Sequence, residues 1–224
     1  MKILLINPNS DSEMTAAIQE SAEAFATGAF DVRTVSTPGA PRFIESHGDE
    51  IQCGPGMMAL VEENEGAYDA FVIACHSDVN IEAVRETTRK PVIGIGEASM
   101  KLASFLGRTF SVVTTHRHSV PGKLEQIRKN HLQDQVASVR APDPGEEGLG
   151  GVELFLELSR RARDEDGAEV IVLGCAGLAG MDRRIQEATG LPVLDGIVCA
   201  LILATGFAGY GVETSKAMYY NPEY

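Results

Sequence analysis

The stretch "YDAFVIACHSDVN", Tyr68–Asn80, begins as a buried strand and then turns polar. Phe71-Val72-Ile73-Ala74 is unbroken apolar sequence, and Cys75-His76-Ser77-Asp78 then sets a thiol, an imidazole, a hydroxyl and a carboxylate side by side. A short continuous apolar run of this kind fits a strand covered on both faces, as in a parallel sheet. "VIVLGCAG", Val170–Gly177, repeats the design, with Cys175 where the apolar run gives out. "ILLINPNS", Ile3–Ser10, likewise resembles "FSVVTTHRHS", Phe110–Ser119. Each cysteine is followed by a helix-like segment and then by "PVIGIGEAS", Pro91–Ser99, or "PVLDGIVCA", Pro192–Ala200. Recurrence of a whole series of motifs in order is the mark of two similar halves.

Working outward, strand-like and helix-like runs alternate through the chain. Strands are expected at Lys2–Ile6, Asp31–Ser36, Ala70–Ala74, Pro91–Ile95, Phe110–Thr114, Gln135–Arg140, Val170–Leu173 and Pro192–Leu194. Helices are expected at Asp11–Thr27, Pro55–Asn64, Asn80–Thr88, Glu97–Leu106, Ser119–Asn130, Gly151–Asp166, Gly180–Thr189 and Ile197–Gly206. Alternation of this kind means α/β architecture with parallel sheets. The halves meet near Ile95–Ala98, and "APDPGEEGLGG", 141–151, reads as a lid-like loop. Ligands of open α/β sheets lie beyond the carboxyl ends of the strands. "NPNS", "CHSD", "TTHRHS" and "CAGLAG" fall at such ends and converge on one cleft if the halves face one another.

With 224 residues the chain can bury a full core, and its net charge of -13 argues against nucleic acid and anionic membranes as partners. The longest apolar segment, "GIVCALILATGFAGYG", is too short and glycine-interrupted to span a bilayer, and "MKILLINPNS" lacks the apolar length of an export signal. A cytoplasmic protein is expected. Its four cysteines, at 53, 75, 175 and 199, form no CxxC pair and are expected to be reduced. "GIGEAS" lacks the third glycine of a dinucleotide fingerprint, and no phosphate loop, nucleophile elbow or HExxH helix occurs. The lysines have no pyridoxal-phosphate context, so no cofactor is expected.

Cys75 and Cys175 are the candidate reactive groups. Each ends a strand before a helix, where backbone N–H groups can stabilise a thiolate. A small buried hydrophobe is the competing reading for any free cysteine, and it is the one that suits Cys53 and Cys199. Two matched thiols suit two-base racemisation: one removes a proton from carbon and the other returns one. Ser77, Thr114, Thr115, Asn9, Ser10 and the "CAGLAG" backbone stand where they can donate to a developing enolate. His116 and His118 form an HxH pair without further ligands at metal-binding spacing, and are read as solvated loop residues. His76 stands where it can line the pocket or tune the thiolate, His47 sits in the polar stretch "FIESHGDE", part of which is expected to approach the site, and Asp78 reads as the N-cap of the helix from Asn80.

"INPNS", "FIESHGDE", "VIACHSD", "PVIGIGEASMKLASFLGRTFSVVTT", "GAEVIVLGCAGLAG", "LPVLDG" and "ETSK" together resemble the aspartate/glutamate/hydantoin racemase superfamily, nearest its hydantoin and allantoin racemases. The resemblance runs in order from Lys2 to about Lys216. It implies two Rossmann-like α/β domains with four-stranded parallel sheets, related by a pseudo-twofold, with the active site in the cleft between them. The expected domains are 1–96 with 208–224 packing back, and 97–207. It implies that Cys75 and Cys175 are the acid/base pair, and that Asn9, Thr114, Thr115 and the backbone of His76-Ser77 and Ala176-Gly177 hold substrate oxygens. It also implies a homo-oligomer. The hydantoin branch commonly reads Cys-Phe-(Gly/Asp)-Asp-Pro where this chain has Cys75-His76-Ser77-Asp78-Val79, so an imidazole replaces an aromatic wall.

The leading expectation is a cofactor-independent racemase of a cyclic ureide. A racemase of aspartate or glutamate, or a maleate-type isomerase, would need cationic carboxylate sites, for which Arg42 and Arg117 are the nearest candidates. A small-molecule binding or sensing protein is the non-enzymatic alternative.

Overall fold

A computed structural model describes residues 1–146 and 151–221. The chain divides into two compact units, one formed by Met1–Ile95 with Ala200–Tyr224 and the other by Gly96–Cys199.

The first unit holds a four-stranded parallel sheet in the order β2-β1-β3-β4, with β1 at Lys2–Asn7, β2 at Asp31–Ser36, β3 at Ala70–Ile73 and β4 at Val92–Gly94. The inner strands β1 and β3 are buried along consecutive residues, Ile3–Ile6 and Ala70–Ile73, so both faces of the sheet are covered. Leu4, Ile6, Phe71 and Ile73 pack in one cluster with Met57 and Val61 of α2 (His47–Asn64) and with Ile81 and Val84 of α3 (Ile81–Thr87). Alternate side chains of a strand point to opposite faces, which is why these four share one face. Burying each such side chain contributes about 1.5–3 kcal/mol, and Phe71→Ala, which also leaves a cavity, would cost about 3–5 kcal/mol. The other helix of this unit's early sequence, α1 (Ser12–Ala26), is capped by Asp11, whose carboxylate accepts from the Met14 N–H. After Tyr210, the chain returns along α3 and β4. The Thr214 N–H donates to Arg89 O, Lys216 Nζ donates to the carbonyls of Arg85 and Glu86, and the Arg85 guanidinium lies over the Tyr220 ring.

The second unit repeats the order, β6-β5-β7-β8, from β5 (Phe110–Val113), β6 (Val136–Arg140), β7 (Val170–Leu173) and β8 (Val193–Leu194). Its core shows the two-residue alternation directly. Val113, Ile171 and Leu173 pack with Phe155 and Leu158 of α6 (Val152–Asp164) and Ile185 of α7 (Asp182–Thr189). Phe110, Val112, Val170 and Val172 pack on the opposite face, with Met100 and Ala103 of α4 (Ile95–Leu106) and Ile127 of α5 (Val120–Lys129). The helix α8 (Gly196–Tyr210) follows β8. No helix among the described residues is long and apolar enough to cross a membrane.

Several boundaries differ from the sequence expectation. The helix expected from Pro55 starts at His47 instead, because Ser46 and Asp49 close a reciprocal capping box ahead of it. Pro55 sits inside the helix on its exposed face, where water can satisfy the carbonyl that proline leaves unpartnered. The helix expected from Glu97 begins at Ile95, directly after β4, and Ser119 belongs to a 3-10 turn, Arg117–Ser119, ahead of α5. The N-cap position before α3 belongs to Asn80, not Asp78, and Asn80 turns its amide to Glu50 O at 2.6 Å instead of capping. Of the loop 141–151, residues 147–150 lie outside the described residues.

Candidate active site

In each unit a cysteine stands at the same place. The last residue of β3, Ile73, pairs with Ile6 of β1, and Cys75 follows two residues on. The last residue of β7, Leu173, pairs with Val113 of β5, and Cys175 follows two residues on. Both are free thiols and half-buried. Gly174 precedes Cys175 because a Cβ there would come within 2.8 Å of Val112 Cγ1 and 3.0 Å of Val113 O. Cys175 itself is extended, and its Sγ accepts from the Gly177 N–H at 3.4 Å.

The first unit gathers Asn9, Ser10, Cys75, His76 and Ser77 just past the carboxyl ends of the adjacent strands β1 and β3. Asn9 is buried, and its carbonyl oxygen accepts from Asn7 Nδ2 at 2.7 Å and from the Asp11 N–H at 3.0 Å. Among the described residues its amide nitrogen meets the Met14 thioether, at 3.1 Å, a weak acceptor, so the Asn9 side-chain N–H has capacity for a ligand. Ser10 is exposed, with its own N–H on Pro41 O. His76 is buried and Ser77 exposed.

The second unit gathers Thr114, Thr115, Cys175, Ala176 and Gly177 past the adjacent strands β5 and β7. Ser119 Oγ donates its single proton to His116 O at 2.7 Å, so Thr114 is the donor in its 3.0 Å bond to Ser119. The buried Thr114 hydroxyl is thereby committed to holding the loop, whereas Thr115 is half-buried and pairs with His116 Nδ1 at 2.9 Å. Ala176 is buried and Gly177 exposed.

The remaining polar candidates have local partners. The rings of His116 and His118 lie 5.4 Å apart on the surface, and no cluster able to hold a metal occurs among the described residues. His47 is exposed at the start of α2, with Nδ1 3.1 Å from Glu50. Arg42 Nε binds the buried Asp11 carboxylate at 2.9 Å, and Arg117 binds Asp143 at 2.9 Å. The Met14 N–H and Arg42 hold the Asp11 carboxyl below its usual range. Cys53 and Cys199 are fully enclosed; desolvation raises the Cys53 thiol and pushes Cys199 up to about 12, which keeps both protonated. None of the buried Asn7, Asp11 and Asp195 is among the site residues expected from sequence; a polar residue directly after an apolar strand, as in "LIN" and "VLD", is the signal that marks Asn7 and Asp195.

The Asp/Glu/Hydantoin racemase family model matches residues 3–204. A hydantoin racemase of Rhizobium meliloti is 39% identical over 98% of this chain and 94% of its own length. Allantoin racemases of Klebsiella pneumoniae and Pseudomonas fluorescens superpose with a TM-score of 0.92 at 30% and 31% identity, covering all of this chain and 94% and 98% of theirs. The chain belongs to the Asp/Glu/hydantoin racemase family and is an isomerase of the racemase type.

Proposed function

We propose that this racemase acts on a cyclic ureide, a 5-substituted hydantoin or allantoin, by a cofactor-independent two-base reaction in which Cys75 and Cys175 exchange a proton with the substrate's ring carbon. The observation that carries this reading is the equivalence of the two thiols: each is free, half-buried and two residues past the inner strand that carries it. Packing alone gives no reason for the same residue at both places. Hydantoin and allantoin racemases among the similar proteins support the substrate class.

The chemistry balances with the protein's own groups. A thiolate takes the proton from the carbon beside the ring carbonyl, becoming a thiol, and the electron pair moves onto the carbonyl oxygen. The second thiol protonates that carbon from the opposite face and is left as the thiolate. The mechanism needs one sulfur on each face of the reacting carbon. Donors for the enolate oxygen are the Asn9 amide, the Ser10, Ser77 and Thr115 hydroxyls and the N–H groups of His76-Ser77 and Ala176-Gly177, while Thr114 braces the loop. The two cationic candidates already hold carboxylates, Arg42 on Asp11 and Arg117 on Asp143. A neutral ring needs no such cation, whereas an acidic amino acid would compete with an existing ion pair.

A circular-dichroism panel tests the substrate. Enantiopure 5-substituted hydantoins or allantoin should lose optical activity well above the uncatalysed background, and aspartate, glutamate and maleate should not react. Turnover of an acidic amino acid without turnover of any ureide contradicts the proposal.

A further inference from the structure

The two units join each cysteine loop to the neighbouring strand with one buried carboxylate, supplied from opposite sides. In the first unit, Gly94 ends β4 and pairs with Ile73, two residues before Cys75. A Cβ on Gly94 would fall 2.1 Å from Asp78 Oδ1 and 2.4 Å from Asp78 Cγ, so the Asp78 carboxylate fills the place a side chain would take. Asp78 is 8% exposed, its N–H donates to Cys75 O at 2.9 Å, and its φ is +50°. That backbone conformation is costly for a residue with a side chain and persists where the surroundings hold it.

In the second unit the register Val172↔Leu194, continued by one residue, brings Asp195 level with Leu173, two residues before Cys175. The strand end now carries the carboxylate, and Leu178 stands three residues after the cysteine, where the first unit has Asp78. Asp195 is 5% exposed; Oδ2 accepts from the Gly180 N–H of the cysteine loop at 3.1 Å and Oδ1 from the Ile197 N–H at 2.8 Å. Capping of α8 accounts for the second of these bonds but not the first. Asp78 for its part is not the N-cap of α3, a position that Asn80 holds.

We propose that Asp78 and Asp195 are positioning residues for Cys75 and Cys175, each clamping its cysteine loop to the end of the adjacent strand. The proposal rests on these two cysteines being the reactive pair. It makes the carboxylate transferable: moved to the strand side in the first unit, it should serve as it does in the second.

Three variants test this, with kcat and KM for a racemised ureide and peptide-level iodoacetamide alkylation rates as readouts. In Asp78→Gly, kcat falls by about tenfold or more while KM stays within about threefold. In Asp78→Gly/Gly94→Asp, which returns the carboxylate from the other side, kcat recovers to within about threefold of wild type. Gly94→Ala, whose methyl would collide with Asp78, falls like Asp78→Gly. Cys75 alkylation slows by about fivefold in Asp78→Gly and recovers in the double variant, with Cys175 in the same sample unchanged. A carboxylate's own field opposes thiolate formation, so slowing identifies lost positioning rather than lost charge. Unchanged kcat in Asp78→Gly, faster Cys75 alkylation, or a double variant that melts like wild type yet stays as impaired as Asp78→Gly overturns the proposal. If wild type racemises no ureide, the substrate reading falls, and the alkylation contrast still decides the clamp.

Discussion

Burial sorts the four thiols into two kinds. Cys53 and Cys199 lie in the core with their thiols pushed towards the neutral form, whereas Cys75 and Cys175 are half-buried at strand ends. Brief iodoacetamide treatment of the folded protein near neutral pH should therefore label Cys75 and Cys175 and spare the other two; labelling of Cys199 at a similar rate would contradict the assignment. The raised Cys199 value also affects stability. An unfolded thiol ionises from about pH 8.5, so the contribution present below that pH is lost as pH rises towards the folded value of about 12. Melting curves of Cys199→Ala should fall less steeply than wild type above about pH 8.5. Asp11 has the opposite sign: its carboxyl is held low, first by the Met14 N–H and then by Arg42, so its contribution is present above the unfolded value and lost as pH falls through the folded one. Asp11→Asn should melt lower at pH 7, and the gap should close below about pH 4. The cysteines were legible in the sequence because each sits directly after an apolar run. The ion pair of Asp11 was not, because its partner Arg42 comes from a different part of the chain.

At the scale of elements, α2 (His47–Asn64) shows where local reading runs out. Gly54-Pro55-Gly56 reads as a turn, yet the helix passes through it, and the two glycines stand where a side chain would meet close neighbours. A Cβ on Gly56 would lie 2.5 Å from Pro38 O and 2.7 Å from Thr37 Cγ2. Gly56→Ala should therefore cost about 1–3 kcal/mol by denaturant titration, despite the alanine's better helix propensity. A stabilised variant would show that this approach is not tight. Ser46→Ala should cost about 1 kcal/mol through loss of the capping box. In the second unit, Arg140 at the end of β6 binds Asp166 with Nε–Oδ2 at 2.6 Å and NH2–Oδ1 at 2.8 Å, tying that strand to the segment before β7. The inner strands β3 and β7 were legible almost residue by residue, since a doubly covered parallel strand needs an uninterrupted apolar run, whereas the edge strands β2 and β6 carry polar residues and are only partly covered.

The whole molecule carries one topology twice, strand order β2-β1-β3-β4 and then β6-β5-β7-β8. That duplication was visible in the sequence because the motifs recur in order around Cys75 and Cys175. The exchanged carboxylates were not visible, because Asp78 aligns with Leu178 and Asp195 with Gly94, and only strand register brings the two arrangements together. Hydroxyl candidates can be named by position alone, but which proton is available to a ligand depends on bonds such as Thr114 to Ser119. The central claim is that one cysteine serves each face of the substrate, and deuterium exchange from each enantiomer of a 5-substituted hydantoin in heavy water tests it most directly. Cys75→Ala and Cys175→Ala should each lose racemisation by about a hundredfold or more, each exchanging deuterium without inversion from only one enantiomer, and from opposite ones. Racemisation in both directions at the wild-type rate by Cys75→Ala would contradict the account.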